Sequence, residues 1–443
     1  EFIGERTEGW ADLRSRLDGI SLEELERRSG VSRLEMLDFA RLYAESKSAI
    51  FVWSMGITMH RHGVDNVKAI ADLALARGMI GRPHCGLMAI RGHSGVQGGA
   101  EMGCVPNVLP GGRKTDPVGA AALSEQWGFP VPDWTGLYAA EMLDRAADGK
   151  IDLLYCVGSN LFAVLPDSHY VRGALERIPL RVHHDIVLNP QMLVEPGETV
   201  VVLPATTRYE MVGGNTETTT ERRVIFNPEI PGSRVAEARD EWRVLVDLAQ
   251  RARPQDAERI AFAGTSEIRS EIAEVIPLYD GIQELRAQGD QFQWGGPLLG
   301  ADGDFGQLGE RGRFATVDVP GKELPEGRFH LNTRRGKQFN SMVFGNTDGL
   351  TGAQRDEFLL ASEDMIRLDL ADGAPVLVRS PTGELAGRAR VGSVRPGTVV
   401  AHWPEANVLI ARGVIDPECG IPAYRDAIVE VVPAAEAERG AAP

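Results

Sequence analysis

Apolar residues recur at three- and four-residue steps through 8–46, at Leu22, Leu25, Val31, Leu34, Leu37, Phe39 and Leu42, which predicts helices with Ser21 as an N-cap. Ala49 to Met55 is a short apolar run ending at Gly56, the pattern of a buried strand. Helical spacing returns from Asp65 to Ala76 and stops at Gly78, a natural C-cap. Gly81 to Gly112 is rich in glycine and reads as loop. Ile151 to Val157 is a second buried-strand run, broken at Gly158. A helix over 167–177 and strands near 179–184 and 199–203 then imply α/β layering around a parallel sheet.

Further along, the pattern is helical from Gly232 to about Ile282, and 290–328 carries the Gly and Pro content of a linker or surface wrap. Val376 to Arg379, Ala386 to Val391 and Thr398 to His402 are short β-type runs set apart by Pro-Thr-Gly and Arg-Pro-Gly turns, so the last stretch predicts a small β-barrel. Residues 434–443, Ala- and Glu-rich, predict a disordered tail.

At 443 residues the chain is too long for one compact core. Its formal net charge of −16, from 63 acidic against 47 basic residues, argues against nucleic acid or anionic membrane as partner. An anionic ligand would need a local basic pocket. No apolar run approaches the roughly 18 residues of a membrane span, and Glu1-Phe2-Ile3-Gly4 shows no signal-peptide pattern. Opening without Met, the sequence reads as a fragment. Cys85, Cys104, Cys156 and Cys419 form no C-x-x-C pair, so they read as small buried residues rather than zinc or iron–sulfur ligands, and the cytoplasm is the expected location.

Candidate chemistry starts at Arg91-Gly92-His93-Ser94-Gly95-Val96-Gln97-Gly98-Gly99. Closely spaced glycines let backbone N–H groups face an anion, and a neighbouring guanidinium offers a planar fork to a carboxylate or phosphate. A glycine-rich structural loop has the same pattern. Gly92 to Val96 nearly matches the G-x-S-x-G nucleophile elbow, but Val96 replaces its last glycine and Gln97-Gly98-Gly99 continues the loop where a helix should start. A serine hydrolase at Ser94 is therefore the least favoured chemistry. Leu22 to Ser32 resembles a helix-turn-helix, yet its Glu-rich exposed positions suit two packed helices better. His60/His62 and His183/His184 lack partners at metal-ligand spacing, so no metal ligand is assigned. Gly158-Ser159-Asn160 follows a strand end, where open α/β sheets bind ligands, and Asp185 ends the next strand. The run Thr333 to Asn340, with Arg335 and Gly336, is basic in an acidic chain, and His402-Trp403-Pro404-Glu405-Ala406-Asn407 follows a strand.

These residues together resemble one family, the large subunits of molybdopterin oxidoreductases of the formate dehydrogenase type. Arg6-Thr7-Glu8-Gly9-Trp10, Trp53 to Thr58, Arg91 to Gly98, Gly158-Ser159-Asn160, Leu203-Pro204-Ala205-Thr206 and Trp403 to Leu409 stand in the family's order, and the similarity runs from residue 1 to about 433. Gln293-Trp294-Gly295-Gly296-Pro297 is similar to the cysteine-poor formate dehydrogenase branch.

The resemblance implies Rossmann-like parallel-sheet layers followed by a double-psi β-barrel. Residues 1–93 would end one α/β pterin-binding domain, 94–230 form a second, 231–328 a helical segment and linker, and 329–433 the dinucleotide-binding barrel. It further implies a bis-(molybdopterin guanine dinucleotide) cofactor with Mo or W. Arg91 would face a small substrate as the catalytic residue, and Gly56, His93, Gly98, Gly158, Ser159, Asn160, Asp185, Arg335, Gly336, His402, Trp403 and Asn407 would hold the cofactor. Met59 and His93 stand where the family's formate dehydrogenases carry glutamine. The Cys or selenocysteine that ligates the metal, and any iron–sulfur cluster, belong to segments upstream of this chain. The implied function is two-electron oxidation or reduction of a small, carboxylate-like substrate, with an electron-transfer subunit or a separately encoded N-terminal half as partner. The alternative is a truncated or split subunit with no catalysis of its own.

Overall fold

The computed structural model describes residues 1–443 except 94, 236, 302–304, 306–310, 322–323, 337–344 and 435–443. The predicted tail, apart from residue 434, and Ser94 thus lie outside the described residues.

Helices α1 (Leu22–Ser29) and α2 (Arg33–Glu45) form where the periodicity places them. Ser21 caps α1, and Ser32 with Glu35 closes a reciprocal capping box on α2. Gly30, at φ 63°, joins them, and Arg395 of the C-terminal region donates to the Ser29 and Gly30 carbonyls at 3.2 and 2.9 Å. The pair is thus docked on the protein rather than held out to read DNA.

Strand β1 (Ile50–Trp53), helix α3 (Gly63–Ala76) and strand β2 (Gly86–Ala89) make a β-α-β unit with parallel pairing. The stretch 81–112 is therefore not simply loop. It contains β2 and a further helix, α4 (Val96–Glu101). The glycines in α4 permit close packing: a Cβ on Gly98 would stand 3.2 Å from the Thr218 nitrogen and side chain. Tertiary contact outweighs the low helix propensity of two adjacent glycines.

After α5 (Pro117–Trp127) and α6 (Ala139–Ala147), neither evident from the apolar spacing, come β3 (Leu153–Val157), the one-turn α7 (Leu161–Val164), α8 (Ser168–Glu176), β4 (Leu180–Asp185) and β5 (Thr199–Pro204). The three strands pair in parallel in the order β3-β4-β5. Leu143 and Ala146 of α6 pack with Val171, Ala174 and Leu175 of α8 in the core beside this sheet.

Next, β6 (Asn215–Thr218), β7 (Arg223–Asn227), α9 (Glu241–Ala252), α10 (Thr265–Val275) and β8 (Gln291–Gln293) follow. The helical stretch predicted over 232–282 is broken, because Pro254 and Pro277 each open a short 3-10 turn. The predicted linker also contributes structure: Gln291–Gln293 returns as an outer strand of an antiparallel sheet ordered β8-β7-β6.

The C-terminal region closes into a six-stranded barrel. Its strands are β9 (Phe329–Arg334), β10 (Glu357–Leu360), β11 (Pro375–Arg379), β12 (Glu384–Val391), β13 (Thr398–His402) and β14 (Ile428–Pro433), in the order β9-β13-β10-β12-β11-β14. The pairs β9–β13 and β10–β12 are parallel and interlocked, the double-psi arrangement. Period-two alternation turns Phe329, Leu331, Val376, Val378, Val399 and Val431 into its core. Asp416 accepts the Val64 N–H at the start of α3 at 2.9 Å, and Asp426 meets the His60 ring at 2.7 Å, fastening the barrel to the first β-α-β unit.

No helix among the described residues is long and apolar enough to cross a membrane.

Candidate functional site

The barrel meets the α/β layers along a cleft lined by Met55, Met59, Val164, Thr333, Arg334, Arg335, Trp403, Tyr424 and Arg425. Three guanidinium groups on one wall concentrate positive charge in an acidic protein. The Arg335 guanidinium carbon lies over the Trp403 ring, 4.0 Å from its centroid. Burial depresses the pKa of Arg335, and burial with the nearby Arg334 charge does the same for Arg425. The charges stay close because other groups hold them: Arg334 pairs with Asp348, and Arg425 donates to the Asn332 side chain. The central cavity is about 80 Å³. That suits a phosphate-sized group, since a site for a whole drug-sized ligand spans roughly 300–1,000 Å³.

Behind this wall sit polar atoms with no hydrogen-bond partner among the described residues: both His402 ring nitrogens, Asn407 Oδ1, Arg334 Nε and Arg425 Nε. Buried polar atoms are rarely left so, because each costs about 1–3 kcal/mol. Arg334 and Arg425 line the cleft itself, and His402 stands opposite Arg334 across the β9–β13 pairing. His402, at 1% exposure, is held below its ordinary pKa by burial first and then by the Arg334 and Arg355 charges. Asn407 reaches the other layer instead, with Nδ2 donating to the Ala163 carbonyl at 2.8 Å. Tyr424 likewise donates to the Val164 carbonyl at 2.8 Å.

Those two carbonyls belong to α7, which begins at the predicted Gly158-Ser159-Asn160 turn. Gly158 takes φ 57°, open to glycine at little cost, and its N–H donates to the His184 carbonyl at 2.9 Å. Asn160 Oδ1 caps α7 at the Ala163 N–H, while Gln191 Oε1 accepts from Leu161 and Phe162. The N-terminus of α7 is thus satisfied internally, with Gly158 exposed and Ser159 half-buried at the turn before it. Asp185 ends the adjacent strand, where Asn189 bridges it at 3.1 Å to the Ser159 carbonyl at 3.4 Å. Gly158, Ser159, Asn160, Asp185 and Asn407 are therefore linked by contacts at one end of the β3-β4-β5 sheet.

Gly56 lies in the one-turn helix Met55–Thr58, exposed and with open space where a Cβ would be. Met55 joins two regions, since its side chain lines the cleft and its methyl stands 3.9 Å from the Cβ position of Gly92. Arg91 precedes that glycine. Its Nε–H donates to Gln97 at 2.9 Å, and its two terminal amino groups have no partner among the described residues. His93 is exposed, Gly336 (φ 68°) ends the described part of the basic run, and Gly98 faces Thr218 rather than the cleft. Met59 packs against the barrel core at the cleft's edge. Sequence reasoning missed Tyr424 and Arg425, which sit in no recognisable motif, and Gln191, whose amide organises the α7 turn. Among the described residues no three His, Cys, Asp or Glu side chains are grouped so as to hold a metal ion.

Residues 34–251 match the family model "Molybdopterin oxidoreductase" and residues 329–428 the model "Molydopterin dinucleotide binding domain". Over 446 aligned residues the chain is 29% identical to the F420-dependent formate dehydrogenase 1 subunit alpha of Methanococcus maripaludis, covering 96% of this chain and 64% of that protein. Formate dehydrogenase H of Escherichia coli is also 29% identical, with 98% and 62% covered. The chain thus spans less than two thirds of the length of these relatives. In fold it is similar to acetylene hydratase from Pelobacter acetylenicus, with a TM-score of 0.67 at 15% identity, over 98% of this chain and 67% of that one. The two matched models and these relatives, with the closed barrel, make this chain similar along its length to molybdopterin oxidoreductases, formate dehydrogenase alpha subunits among them.

Proposed function

We propose that the chain is the C-terminal portion of a bis-(molybdopterin guanine dinucleotide) oxidoreductase that passes two electrons to or from a small carboxylate. The observation that carries this reading is the basic cleft wall of Arg334, Arg335 and Arg425, with Met55 of its lining also approaching Gly92, next to an Arg91 whose terminal amino groups have no partner among the described residues. The donor set suits the cofactor. Arg334, Arg335 and Arg425 would face a diphosphate, and Arg335 is preorganised by its place over the Trp403 ring. His402 and Asn407 supply buried polar atoms that need a partner. Gly158, Ser159 and Asp185, at strand ends, suit a ribose or base edge. Gly56, Asn160 and Gly336 would shape the backbone around the group, with His93 at its open side and Gly98 acting through packing. When bound, the metal–pterin group, with Mo or W, supplies the redox chemistry; the chain supplies position and field. Its metal ligand and any iron–sulfur cluster would come from outside this segment, electrons would pass through a partner subunit, and four unpaired cysteines fit a cytoplasmic setting.

The test is Arg91→Ala in the full-length enzyme with formate as probe. Losing two charge-assisted hydrogen bonds of about 1.5–3 kcal/mol each predicts a fall in kcat/KM of about 100-fold or more. Metal content and the fluorescence of the oxidised pterin should stay at wild-type levels. Unchanged turnover would sink the assignment of Arg91.

A second reading, a split subunit working beside a separate N-terminal half, is favoured by the apolar surface of the first layer. Leu34, Phe39 and Leu42 of α2 and Ile50 and Val52 of β1 are all more than half exposed. On this reading the isolated chain retains no pterin, and co-expression with the other half restores it.

A further inference from the structure

Arg91 begins a chain of hydrogen bonds that leads into the core. Its Nε–H donates to Gln97 Oε1 at 2.9 Å, and Gln97 Nε2 donates to Glu101 Oε1 at 2.5 Å. The other Glu101 oxygen accepts the Tyr279 hydroxyl and, at 3.2 Å, the Trp294 indole N–H. Thr218 Oγ1 lies 2.7 Å from the Tyr279 oxygen.

The directions of these bonds follow from the chemistry of the groups. A carboxylate only accepts, so Gln97 must turn its NH₂ to Glu101 and its carbonyl to Arg91. Tyr279, at 2% exposure, has its pKa pushed far up by burial and by the Glu101 carboxylate, so it keeps its proton and remains a donor. With its hydrogen bonded to Glu101, the Tyr279 oxygen accepts from the Thr218 hydroxyl. Arg222 lies over the Trp294 ring, 5.3 Å from its centroid, and holds the far end. With Nε engaged, Arg91 can rotate little, and the edge left to a ligand is the one formed by Nη1 and Nη2. That edge presents two parallel N–H groups, a match for the two oxygens of one carboxylate.

We infer that Glu101 is a positioning residue for substrate, whose fixed charge sets the Gln97 amide and through it the ligand-facing edge of Arg91. The inference rests on the reading of Arg91 given above. An uncharged side chain of the same shape at position 101 can present oxygen or NH₂ to Gln97, so the amide loses its fixed orientation and Arg91 its acceptor.

Glu101→Gln and Gln97→Ala in the full-length enzyme, with formate as probe, should each raise KM about 10-fold while kcat stays within about 2-fold. The double variant should be no worse than the poorer single one, because one chain is being cut twice. A readout free of turnover is the solvent exchange of the Arg91 Nε–H, followed by NMR of arginine-labelled protein. It should speed up several-fold in both variants, and Tyr279→Phe, which leaves the Glu101 charge in place, should give a smaller change in the same direction if Glu101→Gln does not fold. Unchanged KM and exchange in Glu101→Gln, in an enzyme that Arg91→Ala inactivates, would overturn the inference. So would a lowered Tm with both readouts unmoved, the signature of a merely structural role. If Arg91→Ala leaves turnover intact, the Arg91 reading fails by itself, and the exchange measurement still decides whether Glu101 holds the arginine.

Discussion

Asn407 and Ala163 join the barrel to the parallel-sheet layer, side-chain amide to backbone carbonyl, at 2.8 Å. The main chain repeats the link, because the Asn407 carbonyl accepts the Asp167 N–H at 3.0 Å. A barrel residue thus sets where the ligand-side turn of the parallel sheet can sit. Asn407→Ala leaves the Ala163 carbonyl without its donor, which should cost about 1–3 kcal/mol in urea denaturation. Asn407→Asp should be worse at neutral pH, since a carboxylate oxygen then faces a carbonyl oxygen. Equal stability of the two variants would mean that the amide donor is not what matters.

Gly98 and Gly99 are adjacent in α4 and predict opposite outcomes. A Cβ on Gly98 meets the Thr218 backbone at 3.2 Å, whereas one on Gly99 meets nothing within 4 Å. Gly98→Ala should therefore push α4 off β6 and destabilise by about 1–3 kcal/mol. Gly99→Ala should stabilise by about 0.5–1 kcal/mol through helix propensity. Thermal melts of the two variants side by side decide the matter.

Burial holds the folded-state pKa of His402 below its ordinary 6.5. Below pH 6.5 the unfolded chain gains a proton at this residue that the folded chain refuses. The His402 contribution is therefore complete above pH 6.5 and is lost progressively as the pH falls beneath it. His183, depressed by burial and by Arg181, acts in the same sense. Raised carboxyls such as Glu241 act in the opposite sense, so the clean measurement is a difference. His402→Gln should have a shallower fall in Tm between pH 7 and 5 than the unaltered chain, and parallel curves would refute the assignment.

Arg335→Lys keeps a charge but loses the guanidinium over the Trp403 ring. In the full-length enzyme it should retain less pterin after gel filtration, and Arg335→Ala less still. Retention equal to wild type in Arg335→Lys would show that charge alone suffices there.

Long regular runs were legible in the sequence. Ile151 to Val157 and the strands near 179–184 and 199–203 announced a parallel sheet, though of the three only β4 is mostly buried, and the C-terminal alternation announced a barrel. The antiparallel sheet was not legible. Its strand Asn215–Thr218 is polar, and Gln291–Gln293 lies more than sixty residues beyond its partner inside glycine-rich sequence. Nor was α4, where composition argued for loop and packing on Thr218 decided for helix. Of the site, the residues inside recognisable motifs could be named in advance. Glu101 and Tyr279 could not, being single polar residues far apart in sequence. The one local signal was the four-residue spacing from Gln97 to Glu101, which aligns two side chains on a helix once the helix is known.

Closure gives the barrel no free strand edge, whereas β1 and β2 pair only with each other among the described residues. Each therefore has one edge without a strand partner among the described residues, with Ile50 and Val52 at 56% exposure on β1. Such an edge is a template for pairing with another chain, so the propensity of this polypeptide to self-associate resides at its first sheet and not at its barrel. A single lysine in place of Ile50 should raise the concentration the protein tolerates before precipitating, as charged edges do elsewhere.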